Sequence, residues 1–498
     1  MSAGQCFVVA LCCMWFLYLA YQPLPFHVTW RHALVGRWIS EHGALPSVDP
    51  TLPLADGRPW TTTTWLSDVV IYQGEQAAGP LGLTALSSIA IVTASLLALL
   101  LAYRATERKR LALAAVFPML ALVWPKLGVL RPELLGASLF VGLLLLLQDV
   151  RRRGRLTLTH WIALPVLMCL WANLDGRAVF GAWLLAAWAS PRVLSTQTDS
   201  RSSERRMEAW WAECGIIATL LQPLGFNLWA QTWKLTTSSL WLELGGPQPL
   251  VLASYWGLFC GGLWVLAAIV LRQSDARLET GDLTLLGGAS LLTAISVQFA
   301  WWLGGVAVVV VWPHVARVAL ARGWAPAQRA ARIADDALQP FHFAYSLVSL
   351  LLIWCAFALS PLATPLLGGK PRGIERTFSR ETPLGVAKNL RDKPPQGLVW
   401  APDDWSDWLL WDGPPGLKVA ANSNGALLPA MVRFDYSLVN RAEGNWTRTL
   451  DRYGVQLLVI DKQRQARLTD QAMGQGEDWT IQYEDERALV MRRKEVRG

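Results

Sequence analysis

Six charged side chains have types and positions that could do chemistry in this chain of 498 residues. A carboxylate near a hydroxyl can act as a general base, and carboxylate oxygens also hold divalent cations. Guanidinium and ammonium groups can bind a phosphate. The sequence therefore favours proton abstraction beside a bound anion. The candidate bases and cations are Asp49, Asp68, Asp175, Lys126, Arg131 and Arg177.

The aspartates also have a structural interpretation. Asp49 and Asp56 precede Pro and Gly, so both could be turn residues. Asp68 could cap or solvate a helix. Asp175 could form a structural pair with Arg177. For each aspartate, the catalytic and the structural interpretation stay open at this point.

The other polar candidates are treated in the same way. Lys126 and Arg131 could extend their charged ends to a membrane interface. His27, His32 and His42 have no metal-ligand spacing with a carboxylate partner, so we predict no metal site from them. No organic cofactor is expected, and a divalent cation held by carboxylates stays open.

Apolar residues occur in long uncharged runs, such as 83–103 and 134–147. Hydrophobic residues make up 53% of the chain and charged residues only 16%. A helix needs about 20 apolar residues to cross a bilayer, and the runs predict an all-α polytopic membrane domain of about eleven helices. The predicted spans are roughly 5–22, 80–103, 111–125, 128–149, 156–174, 177–190, 212–229, 253–271, 283–300, 302–320 and 342–363.

Lysine and arginine are concentrated in alternate loops, at 104–110, 151–155, 192–206 and 317–332. Such loops face the cytoplasm, which places the N-terminus inside and the C-terminus outside. Because the net charge of +8 is spread over these short loops, nucleic-acid binding is excluded. The N-terminus lacks the basic segment of a cleaved signal, so the first span is expected to be retained.

Two residue types support the membrane interpretation. Many of the 28 tryptophans lie at predicted helix ends, including Trp171 and Trp302, as is typical of a membrane–water boundary. The seven cysteines lie in or beside apolar segments. We interpret them as small packing residues, not as a disulfide framework or a metal site.

A long first outer loop and a polar tail complete the predicted organisation. The loop, 23–79, contains an amphipathic stretch at 27–42 that we predict to lie in the membrane interface. The sequence divides into a transmembrane domain, 1–363, and a soluble extracytoplasmic domain, 364–498. The tail alternates strand-like and helical patterns, which predicts a small α/β domain. Its strand-like runs are 397–402, 417–421, 455–461, 479–484 and 488–493.

Short motifs in a fixed order resemble those of GT-C glycosyltransferases, the superfamily of protein O-mannosyltransferases and aminoarabinose transferases. The resemblance covers nearly the whole chain. The motifs are ISEHGALPSVDP (39–50), DGRPWTTTTWLSD (56–68), VLRPELL (129–135), LWANLDG (170–176), LQPLGFNLW (221–229) and a late WxxxYED element (479–485).

The resemblance implies a GT-C fold in the bacterial plasma membrane and an inverting transfer of a sugar from a polyprenyl-phosphate carrier to an acceptor on the outer face. The implied partners are a lipid-linked sugar donor and membrane lipid. Asp49 and Asp68 fall where acidic residues recur in this group. Arg131 falls in its RP element, and Asn173 and Gly176 fall in its N-x-H-G element.

The chain departs from the group at two places. No acidic residue directly follows the first predicted span, and Asp175 replaces the histidine of the N-x-H-G element. Two hypotheses follow: the catalytic acid has moved to Asp49, Asp68 or Asp175, or the chain is a non-catalytic membrane scaffold that binds a partner through its tail. A transporter is disfavoured, because the charges lie at helix ends and no internal repeat is visible.

Overall fold

The computed structural model describes most of the chain and divides it into two compact units. The first unit is Met1–Gln22 with Thr84–Pro371, and the second is Pro23–Leu83 with Arg372–Gly498. The described residues are 2–25, 28–123, 129–194, 202–237, 248–275, 278–323, 342–368, 370, 372–475 and 478–494.

The first unit is helical. Apolar runs of this length form helices because a helix satisfies every interior backbone polar group within itself. In chain order its helices are Ala3–Ala20, Pro80–Thr106, Lys109–Val123, Pro132–Arg153, Leu158–Leu174, Ala178–Leu194, Ser202–Ala218, Asn227–Thr237, Tyr255–Gln273, Thr280–Ile295, Ala300–Val310, Trp312–Ala321, His342–Leu359 and the short Thr364–Leu367.

Within the described residues, four helices are long and apolar enough to cross a membrane, or up to six spans if each of two bent helix pairs counts as one. Three shorter apolar helices add to these. The chain is therefore a membrane protein, and the predicted number of eleven spans is not confirmed. The pair Val297–Val310 and Trp312–Ala321 bends by 47°. Pro313 lies at the bend, where its ring cannot continue the helical hydrogen bonds.

The structure also interrupts the predicted span 212–229. The run 212–229 is not one helix: Ser202–Ala218 ends, and Asn227–Thr237 begins after an interval of eight residues, 219–226. Pro223 has no amide hydrogen to continue the helix, and Gly225 has a φ of 52°, in the left-handed region. These two residues end a helix that hydropathy alone extends.

The interior of the first unit contains aromatic side chains from several helices. The rings of Phe140 and Trp302 stack at 4.5 Å, and Trp171 lies 5.4 Å from Trp302. Trp171 and Trp302 are 1% and 2% exposed. Both tryptophans lie near helix ends, in Leu158–Leu174 and Ala300–Val310, as the sequence predicts, but their rings pack inside the helical core.

The second unit contains a five-stranded mixed sheet in the order β2-β1-β3-β5-β4. Strands β2, β1 and β3 are parallel, whereas β3, β5 and β4 are antiparallel. The sheet confirms the small α/β tail that the alternating patterns predict. The strands are β1 (Leu398–Trp400), β2 (Lys418–Val419), β3 (Val455–Asp461), β4 (Trp479–Glu484) and β5 (Ala488–Arg493).

Helices from the tail and from the first outer loop belong to the second unit. The central strand β3 is buried along most of its length, as is usual for a strand covered on both faces. The helices are Thr29–His42, Trp65–Ala78, Ile374–Thr377, Leu384–Asp392, Asp403–Asp412, Ala430–Asn440, Trp446–Arg452 and Ala466–Met473.

The first outer loop shares a hydrophobic core with the tail. Leu52 and Ala55 from the loop lie in one buried cluster with Trp400 and Leu458. The compact units therefore differ from the sequence-based boundaries, which assign the loop to domain 1–363 and start the soluble domain at 364. Hydropathy does not predict that the loop and the tail share a core. The two segments are about 300 residues apart, and a hydropathy pattern describes only local structure.

The amphipathic helix of the loop also packs within the second unit. Trp30 is 1% exposed, and its ring lies 4.7 Å from that of Trp408 and 6.1 Å from that of Phe378. Trp30 is therefore buried against protein side chains, and the position of this helix in the membrane interface stays a prediction. Its apolar side is covered by protein, which the helical periodicity cannot distinguish from burial in lipid.

Candidate active site

Asp68 lies in the first turn of the helix Trp65–Ala78 and is fully buried. Its Oδ1 lies 2.6 Å from Nδ1 of His32 and accepts a hydrogen bond from Thr64 Oγ1 at 3.1 Å. Its Oδ2 accepts a hydrogen bond from Thr62 Oγ1 at 2.5 Å. A buried carboxylate requires this kind of compensation for its lost hydration.

Close packing of two helices brings His32 to Asp68. A Cβ at Gly36, on the helix Thr29–His42, would lie 2.0 Å from the backbone oxygen of Asp68. Glycine therefore permits an approach that any larger residue would block. This contact places His32, one turn earlier on the same helix face, beside the Asp68 carboxylate.

The partners of His32 determine which ring nitrogen carries its proton. An ionised carboxylate only accepts hydrogen bonds, so Nδ1 of His32 is the donor to Asp68. Nε2 is then an acceptor, which suits the Arg31 guanidinium nitrogen 3.4 Å away. A histidine that a carboxylate orients in this way is equipped to take a proton at Nε2.

Asp49 occupies a separate hydrogen-bond network in the second unit. Its Oδ1 accepts from the backbone N and from Oγ1 of Thr51, at 2.8 and 2.6 Å. Its Oδ2 accepts from Asn424 Nδ2 at 2.5 Å, and Asn422 donates to Thr51 at 2.8 Å. These contacts fit the turn-residue interpretation and connect the first outer loop to the tail. Asp56 is exposed with a φ of 53°, as in a tight turn.

In the first unit, Arg177 connects two elements through its guanidinium group. It forms an ion pair with Glu133 at 2.6 Å and donates to Oε1 of Gln298 at 2.8 Å. Arg131 immediately precedes the helix Pro132–Arg153, and its charge lies close enough to repel that of Arg177. Two neighbouring guanidinium groups favour an anion such as a phosphate between them.

Asp175 forms the turn between the helices Leu158–Leu174 and Ala178–Leu194. Its Oδ1 accepts from the backbone N of Arg177 at 3.1 Å, the pattern of an Asx turn. A Cβ at Gly136 would lie 3.0 Å from its Oδ2. The residue is 6% exposed. Asp175 thus contacts the backbone of Arg177, whereas the Arg177 side chain pairs with Glu133.

The six candidates are thus divided between the units. Arg131, Arg177 and Asp175 lie near one another in the first unit, and Asp49 and Asp68 lie in different networks of the second. Lys126 lies outside the described residues. Among the described residues, no three histidine, cysteine or acidic side chains form a group that could hold a metal ion.

Sequence reasoning missed His32, Thr62, Thr64 and Gln298 as partners of the candidates. The run of four threonines before Trp65 is a local signal for Thr62 and Thr64, because Ser and Thr gather at helix starts. His32 precedes Asp68 by 36 residues and Gln298 follows Arg177 by 121, so no local pattern connects either pair.

No family model matches the chain, and no curated protein matches its sequence. Two solved structures resemble it. The crystal structure of ArnT from Cupriavidus metallidurans bound to undecaprenyl phosphate has a TM-score of 0.50 and 14% identity, over 98% of this chain and 97% of that chain. The cryo-EM structure of the arabinofuranosyltransferase AftD from Mycobacteria has a TM-score of 0.52 and 15% identity, over 98% of this chain and 40% of that chain. This chain therefore has a GT-C-like fold, as the order of its motifs predicts.

Proposed function

We propose that the chain is an inverting membrane glycosyltransferase, which moves a sugar from a polyprenyl-phosphate carrier to an acceptor on the outer face of the plasma membrane. The observation that carries the proposal is the likeness to ArnT, which extends over 98% of this chain and 97% of that one. ArnT was crystallised with undecaprenyl phosphate, and a lipid phosphate of this kind would be the product of the proposed reaction.

In the proposed reaction the acceptor hydroxyl attacks the anomeric carbon of the sugar. The new glycosidic C–O bond forms as the bond to the phosphate oxygen breaks, and the lipid phosphate leaves with the electron pair. A single displacement inverts the anomeric centre. The step needs a base for the hydroxyl proton and positive charge for the leaving phosphate.

The base in this proposal is the His32–Asp68 pair. Both oxygens of Asp68 accept hydrogen bonds within 3.1 Å, whereas the contact of His32 Nε2 with the Arg31 guanidinium is longer, at 3.4 Å. In the proposed step the acceptor hydroxyl replaces Arg31 at Nε2 and gives its proton there, and the charge of Asp68 stabilises the imidazolium that forms. Asp68 is favoured over Asp49 and Asp175, because the hydrogen bonds of those two carboxylates to backbone N–H groups are typical of turn residues.

Arg131 and Arg177 are the proposed phosphate-binding residues, together with Lys126. Arg131 and Arg177 lie close together at the start of the helix Pro132–Arg153 and in the turn before Ala178–Leu194. Fixed cations of this kind neutralise charge on a leaving phosphate without reorganisation. The basic loops support an orientation in which these residues and the C-terminal domain are extracytoplasmic.

A non-catalytic scaffold is the second candidate function. Asp49, Asp68 and Asp175 each accept hydrogen bonds from neighbouring residues, and Arg177 is already paired with Glu133. A chain that had kept the fold and lost the reaction would retain such structural contacts. In that case the second unit would bind a partner outside the cytoplasm.

Binding of undecaprenyl phosphate to the full chain in detergent tests the proposed phosphate site. We expect the parent to bind this lipid and Arg131→Gln to bind it about tenfold more weakly, because one charge-assisted contact is lost. Arg155→Gln is the matched control, since Arg155 is an exposed arginine in a predicted cytoplasmic loop. Equal affinity in all three proteins, measured by native mass spectrometry, would refute the phosphate role of Arg131.

A further inference from the structure

A cavity of about 380 Å³ lies within the second unit, and neither His32 nor Asp68 lines it. The helix Thr29–His42 forms one side of it, and residues 410–417 form the other. This volume lies within the range of about 300–1,000 Å³ typical of small-molecule sites. The side chains that matter for its chemistry are Arg37, Glu41, Thr51, Trp411, Pro414 and Pro415.

The indole of Trp411 is held in place by its neighbours. The Arg37 guanidinium lies over the ring, 5.1 Å from its centroid. The ring of Trp30 lies 5.7 Å away, and Tyr72 meets Trp411 edge-on at 6.4 Å. Trp411 is nevertheless half-buried, so part of its surface is open to the cavity. A fixed aromatic surface binds a ligand at little entropic cost.

The polar groups around this ring include donors and acceptors. Arg37 only donates hydrogen bonds, and the Glu41 carboxylate only accepts them. The Thr51 hydroxyl is fixed by its bonds to Asp49 and Asn422. The cavity thus has one positive and one negative side chain, which does not favour a polyanion. The charged lining equally disfavours a lipid tail.

We propose that this cavity binds the sugar ring of a carbohydrate. The C–H face of a sugar packs on apolar surfaces such as Trp411, Pro414 and Pro415, and its hydroxyls both donate and accept hydrogen bonds. Glu41 accepts from one hydroxyl, and Arg37 donates to another. The inference deepens the proposed function and rests on it only for the role of the ligand, which would be a saccharide acceptor bound in the same unit as the His32–Asp68 pair.

A printed array of oligosaccharides, probed with the fluorescently labelled full chain in detergent, tests the inference. We expect the parent to bind saccharides, and Trp411→Ala to bind them at least about tenfold more weakly, because the ring surface is lost. Glu41→Gln should weaken binding about several-fold, since it loses a charge-assisted acceptor. Trp38→Ala is the matched control: Trp38 is on the same helix, stacks on His42 and does not line the cavity.

Trp411→Phe provides the readout if Trp411→Ala does not fold, because it keeps a smaller aromatic surface and should lose part of the affinity. The inference is overturned if the folded parent binds no saccharide on the array. It is also overturned if the Trp411 variants bind as the parent does, or if Trp38→Ala loses as much affinity as they do.

Arg131→Gln distinguishes this inference from the proposed function. It should bind saccharides as the parent does, because Arg131 belongs to the first unit. Saccharide binding without any sugar transfer would refute the proposed function and leave the cavity assignment standing. Sugar transfer without saccharide binding at Trp411 would support the proposed function and overturn the cavity assignment.

Discussion

Nδ1 of His32 lies 2.6 Å from Oδ1 of Asp68, and both side chains are buried. The two residues come from different helices of one loop, whose close approach depends on Gly36. A paired, buried carboxylate is costly to maintain, and such groups concentrate at functional sites. The pair is the basis of the first prediction.

Asp68→Asn and His32→Asn should each lower the transfer rate by about 100- to 10,000-fold. His32→Asn removes the proton acceptor, and Asp68→Asn removes the charge that orients the ring and stabilises the imidazolium. Both changes also break a buried pair, so stability must be measured in the same samples. Thr62→Val is the matched control: it removes a hydrogen bond to the same carboxylate, at about 1–3 kcal/mol, and keeps the pair. If Thr62→Val reduces the rate as much as His32→Asn at equal melting temperature, the base assignment fails.

Asp49→Ala should affect folding and not chemistry. The change leaves Asn424 Nδ2 without its 2.5 Å partner, and the free energy of unfolding should fall by about 1–3 kcal/mol. The transfer rate of the folded fraction should change by less than about threefold, an effect under 1 kcal/mol. Asn424→Ala and the double variant complete a mutant cycle. A coupling free energy near zero would show that the hydrogen bond between Asp49 in the loop and Asn424 in the tail does not stabilise the fold.

Glu133→Gln should increase the stabilisation that a lipid phosphate provides. Without Glu133 the Arg177 guanidinium loses a partner at 2.6 Å, and the lipid-free protein should lose about 1–3 kcal/mol. Undecaprenyl phosphate then supplies the missing negative charge, so its thermal shift should exceed that of the parent. Glu208→Gln breaks a comparable pair with Arg192 and should show the stability loss alone. Equal shifts in the two variants would argue against Arg177 as a phosphate ligand.

The buried carboxyl group of Asp407 should make the free energy of unfolding depend on pH. Burial raises its pKa from 3.8 to about 7, although Ser423 and Arg31 act in the opposite direction. Between these values the folded protein holds a proton that the unfolded chain has released, so stability falls as the pH rises from about 4 to about 7. At about 1.4 kcal/mol per pKa unit, the loss approaches about 4 kcal/mol.

Asp407→Asn removes this titration. Its melting temperature should match that of the parent near pH 4 and exceed it at pH 8, because the asparagine stays neutral. Asp451→Asn, at an ion pair with Arg493, is the control and should keep the fall in melting temperature that Asp407→Asn removes. A parent whose melting temperature is the same from pH 4 to pH 8 would contradict the buried, protonated Asp407.

Local patterns in the sequence predict the elements of this fold well. The five strand-like runs of the tail each contain an observed strand, because short runs rich in β-branched and other apolar residues are visible over a few positions. The span at 212–229 fails because hydropathy does not register how Pro223 and Gly225 end a helix. The sequence does not predict that protein buries Trp30, because the pattern of apolar residues on a helix is the same whether lipid or protein covers them.

The sequence predicts the charged residues of the candidate site but not their partners, because the partners are distant in sequence. The sequence identifies Asp68 and Arg177 as candidate functional residues, because both are charged and lie at predicted helix ends of an apolar chain. Their partners His32 and Glu133 are 36 and 44 positions away, and only tertiary packing brings them together. Sequence reasoning therefore identifies the charged groups but not the network that decides whether each one is structural or chemical.

Release of polyprenyl phosphate from a lipid-linked sugar is the measurement that tests the proposed function most directly. This product forms whatever the acceptor, so the assay needs no acceptor identity. The full chain in liposomes would receive undecaprenyl-phosphate-linked mannose, glucose and arabinose with an extract of cell-envelope saccharides. We predict release from at least one donor, and a loss of that release in Asp68→Asn of about 100-fold or more. No release above protein-free liposomes from any donor, by a chain that binds undecaprenyl phosphate, would contradict the transferase and favour the scaffold.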